Sequence, residues 1–303
     1  KAGILKKWGD KYNISIKLDR INDYIESINL FTAGKYQGCA MTNMDALTIP
    51  AAGGVDCTVL ITGDYSNGND GIVTKGEKSV KELKGKKVML VQLSVSHYLL
   101  SRALEMNGMK EKELTLVNTG DAEIGSIFKT QPGCIAVTWN PILMNAVKTP
   151  GAKLIFDSSK IPGEIIDLMV VSTSAPEELK KALTGAWFET MQILEDKIKS
   201  AAAIKFMAKN SGATEEEFIA QLKTTAMFYK ASDAVSFTRD SKMKKTMEYV
   251  RSFSYEKGLF GKFITTGNYV GIEFPDGSVT GSRDNIKLRF NVKYMQMAAD
   301  NKL

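Results

Sequence analysis

Short apolar runs alternate with helical segments through the first half of the chain, and this alternation limits the fold more than any other feature. Ile14-Ser15-Ile16-Lys17-Leu18 has period two and predicts a half-buried strand. Asn22 is a candidate cap for a helix carrying Ile25, Ile28 and Phe31 at helical spacing and ending at Gly34. Cys39–Thr42, Cys57–Thr62, Gly71–Lys75, Val88–Leu93, Leu114–Asn118, Ile135–Trp139 and Lys153–Phe156 read as strands, with helices between several of them. Ser79 and Glu82 have capping-box spacing. Ser94-Val95-Ser96-His97 opens a helix running to Gly108, and Asn140-Pro141 opens another. Such alternation predicts an α/β architecture with mostly parallel sheets, whose ligands sit beyond the carboxyl ends of strands.

From Ser174 to Gly258 the pattern turns helical: Pro176–Glu195, Ile198–Lys209, Thr214–Lys223 with a Thr214/Glu217 box, and Lys242–Lys257. A hairpin is expected over Gly271–Gly281, turning at Pro275-Asp276-Gly277. Gly71–Lys75 and Leu168–Thr173 flank the middle α/β block. As a pair of extended crossings they predict lobes 1–72 with 169–303, and 73–168 inserted.

The 303 residues are 44% hydrophobic, enough for a large core, and no apolar run approaches the ~18 residues that span a bilayer. Net charge is +6, but the 40 basic and 34 acidic residues are interleaved, as in Glu77–Lys87, so no nucleic-acid partner is expected. Three cysteines, Cys39, Cys57 and Cys134, make neither a disulfide framework nor a zinc ribbon, though Cys39 and Cys57 can in principle pair. The chain opens on Lys1-Ala2-Gly3-Ile4-Leu5 with no initiator Met, signal segment or lipobox cysteine, as expected of a processed or trimmed chain.

His97 is the single histidine. Multi-histidine metal sites are therefore impossible, no metal or other cofactor is expected, and a Ser–His–Asp triad has no G-x-S-x-G elbow to use. His97 reads first as a helix-start residue making hydrogen bonds.

The segments after the strands are more informative. They are Thr42-Asn43-Met44-Asp45, Gly63-Asp64-Tyr65-Ser66-Asn67, Ser94-Val95-Ser96-His97, Trp139-Asn140-Pro141 and Gly163-Glu164-Ile165-Ile166-Asp167. They hold four carboxylates, Asp45, Asp64, Glu164 and Asp167, and no lysine or arginine. An anion site wants basic groups or bare helix N-termini. Carboxylates beside an aromatic suit a small donor-rich cation such as guanidinium, which pairs with carboxylate and stacks on indole. Each residue also has an ordinary use: Asp45 as a helix cap, Asp64 in an Asx-turn, Glu164 exposed, Trp139 in a core. Asp167, inside an apolar run, needs a partner or a proton.

The block Gly38-Cys39-Ala40-Met41-Thr42-Asn43-Met44-Asp45-Ala46-Leu47-Thr48-Ile49-Pro50-Ala51-Ala52-Gly53-Gly54 resembles a signature of the nitrate/sulfonate/taurine-type ABC substrate-binding proteins. With Ser94-Val95-Ser96-His97-Tyr98, Thr138-Trp139-Asn140-Pro141, Ile161–Leu168 and Tyr294–Asp300, it is most similar to the branch found beside urea carboxylase genes. The resemblance implies a type II periplasmic-binding-protein fold: two α/β lobes with a hinge and a ligand cleft between them. It implies a periplasmic or lipid-anchored receptor, monomeric, that hands guanidine or urea to a membrane permease. Relatives usually begin with a strand and a Trp-Pro loop, whereas this chain starts inside the following helix.

The expected ligand-binding residues are Asn43, Asp45, Asp64, Ser66, Ser94, Ser96, His97, Trp139, Asn140, Glu164 and Asp167, closing on guanidinium. Urea, another small amide or amidine, or an anion of the wider family are the alternative ligands; Asn43, Asn140 and Ser94 offer the mixed donors and acceptors that urea needs. A pyrimidine-synthase-like enzyme of the same fold is the rival class, but it resembles proteins that rely on histidine and a cysteine-rich motif. A fused sensory receptor would carry a transmembrane or signalling segment.

Overall fold

The computed structural model describes residues 3–21, 23–196 and 198–303. The expected cap Asn22 lies outside them; Asp23 caps the helix Tyr24–Thr32 by accepting from the Glu26 amide. The strands are β1 (Gly38–Thr42), β2 (Cys57–Ser66), β3 (Asp70–Thr74), β4 (Lys87–Leu90), β5 (Thr115–Asn118), β6 (Ile135–Trp139), β7 (Lys153–Asp157), β8 (Ile166–Ser172), β9 (Thr225–Met227), β10 (Gly271–Glu273), β11 (Val279–Thr280) and β12 (Ile286–Phe290).

The chain divides into two compact units. The first comprises 1–64, 166–218 and 227–303; the second comprises 65–165 and 219–226. The sequence pattern puts the crossings at 72/73 and 168/169, while the contacts put them at 64/65 and 165/166 and add 219–226 to the inserted unit. The whole of β3 thus belongs to the second unit.

In the first unit the sheet runs β1-β8-β2-β12-β10-β11. β1 and β8 are antiparallel, with Gly38 opposite Val171 and Thr42 opposite Asp167. β12 is parallel to β2 and β10. β2 reads Cys-Thr-Val-Leu-Ile-Thr-Gly-Asp and is buried on both faces, as a central strand with a continuous apolar run should be. Leu60, Ile61, Val171, Phe188, Val235, Tyr294 and Met295 belong to one core cluster. The expected tail hairpin is present, with Ile272 opposite Thr280.

The second unit has the order β5-β4-β6-β3-β7, with β4 parallel to β5 and β6, and β3 antiparallel to β6 and β7. Val73, Ile124, Phe128, Ala136, Leu143 and Ala146 pack on it. Both sheets are therefore mixed rather than mostly parallel. The antiparallel strands include β8, which runs against β1 and β2, β3 against β6 and β7, and the tail hairpin.

The strand expected at Ile14–Leu18 does not form. Its alternation survives as half-buried Ile14 and Ile16 between exposed neighbours, but among the described residues no second strand gives it a ladder. Instead the Ile14 amide donates to the Gly9 carbonyl, 3.0 Å away. Cys39, Cys57 and Cys134 are free thiols, so Cys39 and Cys57 are not paired. No helix of the described residues is long and apolar enough to cross a membrane.

Candidate functional site

Three of the four expected carboxylates come together at neighbouring strands of the first unit. Thr42 ends β1 and caps the helix Asn43–Ala46, whose first turn carries Asp45. Directly across the ladder from Thr42 stands Asp167, the second residue of β8. β2 lies on the other side of β8 and carries Asp64 near its end. Asp64 is thus a strand residue rather than a loop residue, and it hydrogen-bonds the Asp167 carboxyl.

Asp45 is buried, 1% exposed. Its Oδ2 accepts from the Tyr24 hydroxyl at 2.8 Å and from the Thr42 hydroxyl at 2.8 Å. Burial, with a smaller contribution from the charge of Asp167, raises its carboxyl to about 6 against the lowering effect of those two donors. Asp167 is reachable by solvent, yet enough protein crowds round it that desolvation is the largest influence and raises its carboxyl too; the bond to Asp64 opposes this. Two carboxylates this near each other repel, which favours a proton or a cation between them. No lysine or arginine figures among the influences on Asp45 or Asp167. Such a set is short of positive charge and can be neutralised by protons or by a cation that brings its own donors.

Asn43 stands beside this cluster. Its Oδ1 accepts from the Ile166 amide at 3.1 Å, and its side-chain amide faces the Met247 sulfur at 3.6 Å. It therefore fixes the start of β8 next to Asp167, a structural use of a residue expected to touch ligand.

Trp187, on the helix Glu177–Glu195, was not legible as a site residue. A Cβ on Gly63 would lie 2.9 Å from its ring, so the indole rests on the β2 backbone immediately before Asp64. Its Nε1 is buried without a hydrogen-bond partner among the described residues. The only sequence signal was a glycine inside an apolar strand, which often marks a close approach.

The remaining candidates lie in the second unit, mostly in bonds of their own. Glu164 accepts from the Tyr98 hydroxyl at 2.6 Å, from Arg102 Nε at 2.8 Å and from Arg102 Nη2 at 3.0 Å. The loops hold no basic residue, but the helix Val95–Met106 brings Arg102 to this carboxylate in a bidentate pair. Glu164 is thus neutralised in place, contrary to the expectation of an unneutralised carboxylate. Ser66 donates to Asp70 at 2.5 Å and shares a hydrogen bond with Ser158 at 2.6 Å. Ser94 caps the helix Val95–Met106. His97 accepts at Nδ1 from the Leu93 amide, 3.1 Å, which places the proton on Nε2, 2.9 Å from Glu111. Asn140 accepts from the Met144 amide and donates to Thr224, both at 3.0 Å. Trp139 ends β6 opposite the buried Asp70 of β3. The hydroxyls of Ser96 and Thr138 are buried without partners among the described residues. Among those residues no group of three His, Cys, Asp or Glu side chains has the geometry to hold a metal ion.

This two-lobed α/β arrangement is that of the type II periplasmic-binding proteins. The family model described as NMT1/THI5 like matches residues 6–174, and the chain belongs to that family. Among solved structures it is similar to the periplasmic aliphatic sulphonate binding protein SsuA from Escherichia coli, with TM-score 0.71 and 16% identity over 86% of this chain and 90% of that one. It is also similar to the alkanesulfonate-binding protein SsuA from Xanthomonas axonopodis pv. citri, bound to MOPS, with TM-score 0.68 and 14% identity over 88% and 92%. A third is a putative sulfonate-binding protein from Methylobacillus flagellatus KT, with TM-score 0.69 and 13% identity over 97% and 85%. No curated protein sequence matches the chain.

Proposed function

We propose that this chain is the solute-binding receptor of an ABC importer, working outside the cytoplasmic membrane with a membrane permease, and that its solute is a small nitrogen-rich cation, guanidinium. The receptor class draws support from the family membership and from the sulfonate-binding proteins that share the fold. The solute departs from theirs on one observation: Asp45, Asp64 and Asp167 gather at adjacent strand ends, and no basic residue is among the influences on Asp45 and Asp167. A sulfonate or nitrate brought there meets carboxylates and repulsion, whereas guanidinium offers donors in the plane that carboxylates accept. The side chains do nothing covalent in this reading. They exchange water for carboxylate oxygens and hold the solute by charge and direction.

Urea is the second reading, favoured by the partnerless Trp187 Nε1 beside Gly63. That N–H suits a solute with a carbonyl acceptor, and guanidinium has none. Calorimetric titration with guanidinium, urea, taurine and nitrate side by side at pH 7.5 separates the three cases. Guanidinium binding at micromolar Kd, with no heat from taurine or nitrate, is the expected result. Tight binding of either anion overturns the cation reading, and tight urea binding without guanidinium transfers it to urea.

A further inference from the structure

Asp45 is held through one oxygen only. Both hydroxyl donors, Tyr24 and Thr42, reach Oδ2, and among the described residues no hydrogen bond reaches Oδ1. Tyr24 comes from outside the strand-end segments, at the start of the helix Tyr24–Thr32. Its hydroxyl also accepts from the Thr42 amide at 2.9 Å, so it sits where β1 turns into the helix that carries Asp45. Burial and the charge of Asp45 hold the phenol well above its usual range, so it stays a donor throughout the working pH range.

The other groups facing Asp45 are Thr42 from β1 and Asp167 from β8, with Asp64 bonded to Asp167 from β2. The helix Ser241–Glu256 presents Met247 to the neighbouring Asn43. Its Lys244 pairs with Asp276, and its Glu248 pairs with Arg251. Two neutral donors therefore stand alone against the burial of Asp45 and the charge of Asp167. Removing either leaves the carboxyl more prone to take a proton, and a protonated carboxyl binds a cation poorly.

We propose that Tyr24 is a positioning residue of the solute site: by holding Oδ2 it keeps Asp45 ionised and leaves Oδ1 as the oxygen offered to the solute. This rests on reading Asp45 as a solute carboxylate. Three proteins test it, Tyr24→Phe, Asp45→Asn and the double variant. The measurements are carbon NMR titration of the Asp45 carboxyl in solute-free protein and guanidinium titrations from pH 5 to 8.5. In Tyr24→Phe the Asp45 midpoint should rise by about one pH unit. Guanidinium affinity should then fall roughly 5-fold near pH 6, approach a roughly 10-fold loss near pH 5, and recover to within about 2-fold of the parent at pH 8. On the Asp45→Asn background the second substitution should leave the pH profile unchanged.

A uniform loss at every pH, as from a phenol that merely props the turn, overturns the proposal, and so does an unmoved Asp45 midpoint. Should the Phe variant fail to fold, 3,5-difluorotyrosine at position 24, a stronger donor of similar size, must lower the midpoint; an unmoved value again overturns the proposal. If the parent protein ignores guanidinium while the Asp45 midpoint still shifts, the solute assignment fails and the role of Tyr24 toward Asp45 stands.

Discussion

Asp167 and Asp45 differ in how they can fail. Asp167 is solvent-reachable and lies against Asp64, so Asp167→Asn should leave the fold intact while weakening guanidinium binding by ~2–5 kcal/mol, as for loss of a charge partner. Comparing Kd by calorimetry with the thermal midpoint of the same variant separates the two effects. Gly63→Ala acts the other way. Its methyl would meet the Trp187 ring at 2.9 Å, inside contact distance, so the indole must shift at a cost of ~1–3 kcal/mol of stability, readable by urea unfolding. The site was half legible at this scale. An aspartate in an apolar run had to find a partner, and Asp167 finds Asp64. The pairing of Glu164 was hidden because its partner Arg102 lies 62 residues away in sequence, beyond the reach of any local pattern. Trp187 was invisible for the same reason: an indole on a long amphipathic helix looks like core until the strand beneath it is known.

Elements were read best where periodicity alone decides them. The helices Glu177–Glu195 and Ser241–Glu256, the cap pair Thr214 and Glu217, and strand β6 all follow from spacing. Ile14–Leu18 fails because alternation reports which side chains face inward, whereas a strand also needs a neighbour to bond. The antiparallel pairing of β1 with β8 was equally out of reach, since pairing is a property of distant segments. Yet that pairing brings Asp167 opposite Thr42 and so builds the site. At this scale Arg102→Met is informative: it leaves Glu164, with its side chain only 14% exposed, without its cation. A loss of ~2 kcal/mol in stability is expected, since the carboxylate then lacks a charged partner. Guanidinium affinity should change less than 3-fold if the solute carboxylates are those of the first unit; a 100-fold loss would return Glu164 to the site.

For the whole molecule, the buried acid ties folding to pH. Asp45 has its carboxyl raised to about 6 in the folded state, against 3.8 for the ordinary group. The folded state therefore binds the proton more tightly, and stability falls as pH rises from about 4 to about 6. The loss is about 3 kcal/mol for this group, flat above that window. Thermal melts of solute-free protein should show a higher midpoint at pH 5 than at pH 7. Guanidinium at 100 times its Kd should return ~2.7 kcal/mol at pH 7 and much less at pH 5, where protons hold the same oxygens. A melt that is insensitive to pH between 4 and 6 would mean that Asp45 carries no excess proton affinity.

The crystal structure of the protein grown with guanidinium bears most directly on whether a negative cluster chooses the solute. Guanidinium nitrogens within 3.2 Å of oxygens of Asp45, Asp64 or Asp167 are the expected outcome. Guanidinium bound elsewhere, or a sulfonate seated against those three side chains, would contradict it.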